Sequence, residues 1–356
     1  MMTRRIVPPP PPPSTQVRNQ SMECFKMVAS IVVLFLHVSV PGKTQSLLQL
    51  LANDAVALFF AITGYFNFGA DQKTLARRLK HLLRLYLVAI LFSVGLGIVT
   101  TEICGGSSVA FLITYFPEPE EIMNWLVMHR DPRNGQLWYL TSACVCYLIV
   151  YLYVRFFGDE PINYRPLYGA AFSLFTVFLA LGCLAPAAGT DIPIAGNGFF
   201  LGIPMFTLGL FLREHRERIL ANFRLSSGKL LALALTGCTL GIAQCFTIGM
   251  GQATMGALLE IPALLLFMTC HPTVTKERGV LAACVGKFGA WSTYVYILHI
   301  QILSVYTRFC RPAMLTVFSE NAEAWIQPFA VAVLSLIAAI VFTWGEQLLK
   351  RPPRRK

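Results

Sequence analysis

KMVASIVVLFLHVSVPG, Lys26 to Gly42, decides how this chain is read. Ten uncharged residues separate a lysine from a histidine, and a proline and a glycine close the run. As a helix, the eleven steps from Lys26 to His37 rise about 16 Å, roughly half the hydrocarbon of a bilayer. Three turns take about 10.8 residues, so the two side chains fall nearly on one face. An ionisable residue inside a bilayer is costly, and is found there paired or at work. A neutral imidazole can take a proton from a hydroxyl at physiological pH.

Outward from this run the same texture recurs. Ten apolar runs occupy residues 22–40, 47–68, 83–100, 137–157, 167–184, 198–212, 230–250, 255–268, 288–306 and 328–344. The sixth and eighth are short. Of the 356 residues, 55% are hydrophobic and 13% charged, with mean hydropathy +0.60; a soluble domain carries about twice that charge fraction. The runs are too long and too continuously apolar for the strands of a membrane barrel. The expected fold is an all-α polytopic membrane protein of about ten transmembrane helices.

Charge placement tests that count. With the N-terminus in the cytoplasm and alternate crossings, only Lys43, Arg130, Arg133, Arg308 and Arg311 of the 29 basic residues fall outside. The positive-inside rule demands this bias, and an odd number of crossings would scramble it. Both termini are therefore expected in the cytoplasm. The net charge of +11 is a topology signal and calls for no nucleic-acid partner.

Residues 1–20 read as a disordered, proline-rich cytoplasmic tail. Pro8–Pro13 follow Arg4 and Arg5 where a secretory signal needs an apolar core. Residues 21–346 form the membrane domain and 347–356 a basic cytoplasmic tail. Eight of the ten cysteines lie in or beside apolar helices, where they act as small hydrophobes. Cys104 and Cys310 both face outside, so one bridge between them is open. No cysteine or histidine spacing fits a metal.

The longest outward connection, residues 101–136, is acidic, aromatic and amphipathic in places, and is expected along the outer surface. The largest inward basic segment is KTLARRLKHLLRL, residues 73–85, with leucines at helical spacing. It reads either as a topology anchor or as a cradle for a phosphorylated cytoplasmic molecule, since arginine grips phosphate through a rigid fork.

Several stretches together carry a family likeness. His37 ends the first run, ALFFAITGYF (57–66) lies in the second, and the basic segment follows. GQLWYL (135–140), NGFFLGIPMFTLG (197–209) and STYVYILHIQIL (292–303) come after in order. The set resembles the acyltransferase-3 family of integral membrane acyltransferases over about residues 20–345. The resemblance implies transfer of an acyl group, commonly acetyl, from cytoplasmic acyl-coenzyme A to a hydroxyl of a sugar, glycan or other cell-envelope acceptor. Acetyl-coenzyme A is then a co-substrate, with no permanently bound cofactor, and a bacterial inner or plasma membrane is the implied location. The family's basic-residue, ten-spacer, histidine pattern maps onto Lys26 and His37. Its paired basic residues after the second helix map onto Arg77 or Arg78 with Lys80, His81 or Arg84. The chain departs from that pattern where lysine or histidine replaces a second arginine, and where no proline precedes Tyr86.

On that reading His37 is the general base, and Lys26, Arg77, Arg78, Lys80 and Arg84 hold the donor. Asp54 either orients the imidazole, as carboxylates commonly do, or caps the outward start of its helix. Trp138, Asn197, Glu260, Tyr294 and His299 are acceptor contacts or structural groups: His299 as an interhelical hydrogen-bonding residue, Glu260 as a lone acid deep in the later helices, Trp138 and Asn197 near an outer surface or a helix start. The competing class is a transporter or flippase, which buried ionisable residues also suit. Against it, no inverted repeat is visible. A non-catalytic membrane scaffold would leave the Lys26–His37 spacing a coincidence.

Overall fold

Each of the ten apolar runs holds a helix. The computed structural model describes residues 19–115, 118–129, 131, 133–158, 162–187, 198–247, 254–274 and 280–349. Its helices are α1 (Gln20–Val32), α2 (Thr44–Tyr65), α3 (Gln72–Ile103), α4 (Ser108–Tyr115), α5 (Pro119–Met128), α6 (Trp138–Phe157) and α7 (Arg165–Ala187). After these come α8 (Ile203–Asn222), α9 (Ser227–Thr247), α10 (Ala257–Cys270), α11 (Val280–Val285), α12 (Phe288–Val305), α13 (Arg311–Leu315) and α14 (Glu320–Leu349). The fold is 85% helical, with no strand among the described residues. Among these residues five helices are long and apolar enough to cross a membrane: Thr44–Tyr65, Gln72–Ile103, Gly135–Phe157, Ser227–Thr247 and Glu320–Leu348. Arg165–Leu181 and Ala257–Cys270 are apolar but shorter. This is a multi-pass, all-α membrane architecture.

The first helix does not run straight to His37. It ends at Val32 and tightens into a 3₁₀ turn over Val33–Leu36. Pro41 has no N–H for the His37 carbonyl, so an α-helix cannot continue past this point. A 3₁₀ turn holds 3.0 residues against 3.6, so five residues of tighter winding rotate His37 by roughly 100° from the face an unbroken α-helix would give it. The two residues are therefore further apart around the axis than the sequence spacing implies.

The basic segment 73–85 is no separate element. Asp71 caps α3 by accepting the Thr74 N–H at 3.0 Å, and the helix then runs unbroken for 32 residues. At 1.5 Å per residue it is about 48 Å long, well beyond the roughly 30 Å of bilayer hydrocarbon. The Thr74 side chain, with its backbone N–H, holds the Asp71 carboxyl below the usual carboxylate range.

Small residues bring the central helices together, as association without a hydrophobic drive requires. A Cβ on Gly209 of α8 would strike the Ala61 carbonyl and the Tyr65 amide of α2, and one on Gly64 would strike the Phe206 carbonyl. Gly237 of α9 and Gly256, at the start of α10, meet in the same way. The main core forms around these crossings, with Phe60, Phe206 and Leu210 fully buried.

In the connection 101–136, α4 buries no residue and α5 is largely exposed, whereas the end of the connection packs into the bundle. Trp125 of α5 stacks on Tyr86 of α3, with ring centroids 6.4 Å apart. The Tyr86 hydroxyl donates to Asp131 Oδ2 at 2.8 Å. His129, Asn134 and Gln136 are all buried, and the Tyr296 hydroxyl, from the middle of α12, donates to the Gln136 carbonyl. Tyr86 and Tyr296 lie well inside their helices, so Trp125 and Asp131 meet the interior of α3 and Gln136 meets that of α12. Amphipathic patterning could not separate this from a surface helix, because both present one apolar face. Cys104 and Cys310 are exposed free thiols.

Candidate active site

The basic residues singled out by the sequence converge. Lys26, Arg77, Arg78, Lys80 and Arg84 line one open cavity of about 720 Å³, together with His81. Four come from the first four turns of α3, where cations lie within reach of one another, and Lys26 enters from α1. The Lys26 ammonium lies 3.4 Å from Glu23 Oε1 and 5.6 Å from the centre of the Phe66 ring. Arg78 is the most firmly built in. Its Nη1 donates to Asn67 Oδ1 at 2.7 Å and to the Phe66 carbonyl at 2.9 Å. Asn67 Nδ2 in turn donates to the Tyr147 hydroxyl at 2.8 Å and the Thr63 carbonyl at 2.7 Å. Arg77, Lys80 and Arg84 remain exposed on the cavity rim. Such a set, part fixed and part free, suits a ligand with several anionic groups.

His37 stands at the other end of α1 and is half-buried. Its ring faces His299 of α12, with centroids 5.2 Å apart and planes tilted by 41°. His299 is 0% exposed. Its Nδ1 sits 2.7 Å from the Tyr296 carbonyl, which assigns the proton to Nδ1 and leaves Nε2 a lone pair. Among the described residues, Nε2 has no hydrogen-bond partner.

Asp54 is 4% exposed on α2. Its helix packs against α10, which carries Glu260. Among the described residues no hydrogen bond joins Asp54 to His37. Glu260 is 8% exposed, and its Oε2 has no partner among the described residues. The structure therefore brings His37 to His299, and buries Asp54 and Glu260 on two helices that pack together. Tyr294 points away from His299: its hydroxyl donates to Glu346 Oε2 at 3.2 Å, and its ring packs on Phe342. Trp138 opens α6 half-buried against Phe60. Asn197 lies outside the described residues.

Three buried polar residues were not singled out by sequence. Asn67 and Tyr147 fix Arg78; the available signal was an asparagine at the end of an apolar helix, six residues before the basic segment begins at Lys73. His129 has φ +57° and is buried. Its Nδ1 accepts the Gly198 N–H at 2.9 Å, and its carbonyl accepts the Thr141 hydroxyl at 2.5 Å. Burial holds its imidazole below the ordinary histidine value. Nothing in the sequence distinguished it from a loop histidine.

The arrangement is a polyanion-sized basic cavity at one end of α1 and an imidazole pair at the other. Six α1 steps and five 3₁₀ steps separate Lys26 from His37 by about 19 Å along the axis. A comparison with curated proteins returned no significant match. A family model described as an acyltransferase domain, Acyl_transf_3, matches residues 19–344, nearly the whole chain. With the apolar helical fold, that match identifies the protein as a membrane acyltransferase of the acyltransferase-3 family.

Proposed function

We propose that this acyltransferase moves an acyl group, acetyl in the simplest case, from cytoplasmic acyl-coenzyme A to a hydroxyl of a sugar, glycan or other cell-envelope acceptor. The observation that carries the reading is the gathering of Lys26, Arg77, Arg78, Lys80 and Arg84 in one cavity, with His37 at the far end of α1. The donor's phosphates bind in the basic cavity, and its thioester arm extends toward His37. His37 takes the proton of the acceptor hydroxyl. The hydroxyl oxygen forms its bond to the thioester carbonyl carbon, the C–S bond breaks, and the proton passes from His37 to the departing thiolate. Donor and acceptor are thereby used in turn without any cofactor held between cycles.

The same reading has ten crossings with both termini in the cytoplasm, in the bacterial inner or plasma membrane. It rests on the ten apolar runs, each holding a helix, and on the inward bias of basic residues. The cavity then opens to the cytoplasm, and His37 lies nearer the outer side. Asp54 and Glu260 are two buried acids that do not line the donor cavity. That pair is what a proton-coupled transporter would also use, so Glu260→Gln is the natural control.

The test is coenzyme A release and label transfer from radiolabelled acetyl-coenzyme A in inside-accessible vesicles, with pooled cell-envelope glycans as acceptor. Labelled glycan with wild type and about 1,000-fold less with His37→Ala is the expected result, in the range of a lost general base. Equal labelling by both proteins, each correctly inserted, removes His37 from the reaction. Loss of labelling only with Glu260→Gln moves the chemistry to the acidic pair.

A further inference from the structure

The second histidine has no role in the scheme above, and its geometry gives it one. The Nδ1 edge of His299 is turned onto its own helix, toward the Tyr296 carbonyl at 2.7 Å and the Val295 carbonyl at 3.3 Å. The opposite edge, with Nε2, therefore points off the helix. The ring lying beside it from another element is that of His37, 5.2 Å away between centroids. His299 is 0% exposed, and no described residue donates to Nε2. A buried acceptor with no donor costs the desolvation of its lone pair, and native structures rarely leave one without use. His37 likewise has no side-chain hydrogen bond among the described residues.

We propose that His299 is the positioning residue for His37: its Nε2 accepts the N–H of the His37 imidazole during the reaction. The inference rests on His37 acting as the base. It fixes which His37 nitrogen carries the resting proton and aims the other, with its lone pair, at the acceptor hydroxyl. When His37 takes the acceptor's proton, the imidazolium keeps one N–H on His299 and offers the other to the leaving thiolate. No proton is gained or lost by His299, whose Nδ1 proton stays on the Tyr296 carbonyl throughout.

A neutral partner also suits the place. A carboxylate in hydrogen-bond contact would favour the charged imidazolium in the idle enzyme, and a charged base cannot accept a proton. An imidazole fixed by a backbone carbonyl orients His37 while leaving it neutral, with no buried charge to accommodate. The Asp54–Glu260 pair is then free of the orienting duty, consistent with the absence of any hydrogen bond to His37 among the described residues.

The two amide replacements of His299 separate this role from mere packing. His299→Asn places an amide near the Nδ1 position, so it can keep the Tyr296 bond but has nothing at Nε2. His299→Gln places its amide near Nε2. Acetyl transfer from radiolabelled acetyl-coenzyme A to pooled cell-envelope glycans is measured in vesicles for wild type and both variants. Expected is a kcat about 100-fold lower for His299→Asn with KM for acetyl-coenzyme A unchanged, while His299→Gln stays within about 10-fold of wild type. Wild-type activity in His299→Asn, or equal losses in both variants, overturns the proposal while leaving His37 as the base. Wild-type protein that transfers no label overturns the reading of His37 and this inference with it.

Discussion

Arg78 Nη1 donates to Asn67 Oδ1 at 2.7 Å, and Asn67 is only 2% exposed. The bond ties the start of α3 to the end of α2 and fixes one cation of the basic cavity in place. Among the described residues, its neighbours Arg77, Lys80 and Arg84 have no comparable anchor on another helix. Arg78→Ala strips a buried acceptor of its donor, which costs about 1–3 kcal/mol. Thermal unfolding in detergent should show that loss for Arg78→Ala. Arg77→Ala should unfold like wild type and instead raise KM for acyl-coenzyme A. Equal melting temperatures for the two variants would mean that the Asn67 bond does not contribute.

The crossing of α2 and α8 should be intolerant of even one carbon. A Cβ on Gly209 meets the Ala61 carbonyl and the Tyr65 amide, which are backbone and cannot move aside alone. Gly209→Ala is expected to cost about 1–3 kcal/mol through overpacking. Gly228→Ala, where a Cβ meets nothing within 4 Å, is the matched control. A melting curve of Gly209→Ala that overlays the control would contradict the packing described.

His129 makes its contact with Gly198 sensitive to acid. Its Nδ1 must be unprotonated to accept the Gly198 N–H, and burial holds its folded value below the ordinary one. The bond's contribution is thus fully present above the free histidine value of about 6.5 and declines as pH falls below it toward the lowered folded value. Hydrogen exchange at the Gly198 amide should accelerate as pH drops through that window, after correction for intrinsic rates. His129→Asn, which keeps an acceptor, should flatten the dependence. An unchanged protection factor from pH 7 to pH 5 would refute it.

The free thiols offer a topology test. Cys104 and Cys310 are exposed, and the proposed ten-crossing arrangement puts both outside. A membrane-impermeant maleimide added to intact cells should label them, and Cys104→Ser with Cys310→Ser should abolish the signal. A cysteine introduced at Lys73 in that background should react only in inverted vesicles. Labelling of the Lys73→Cys protein in intact cells would invert the topology.

Apolar run length made the helices readable, because hydrocarbon tolerates little but continuous apolar helix. Identity and order of the basic residues made the cavity readable, since cations on successive turns of α3 share a face whatever the tertiary fold. What the sequence could not carry was rotation. The 3₁₀ turn at Val33–Leu36 moves His37 around its axis, so the partner found on α12 is His299. Nor could spacing along the chain tell that Asp54 and Glu260 are buried on helices, far apart in sequence, that pack together. The inward packing of Asp131 and Gln136 rests on single contacts, Tyr86 with Asp131 and Tyr296 with Gln136. Neither has a local pattern.

The separation of the cation cavity from the imidazole pair has an electrical consequence. The membrane potential does about 2.3 kcal/mol of work per elementary charge per 100 mV. In the proposed reaction every formal charge of the donor stays among Lys26 and the α3 cations, while the group that travels the length of α1 is an uncharged acyl carbon. On that reading acyl flow is expected to be neither driven nor opposed by voltage, and a cell whose membrane is depolarised should keep the reaction running for as long as the thioester is supplied.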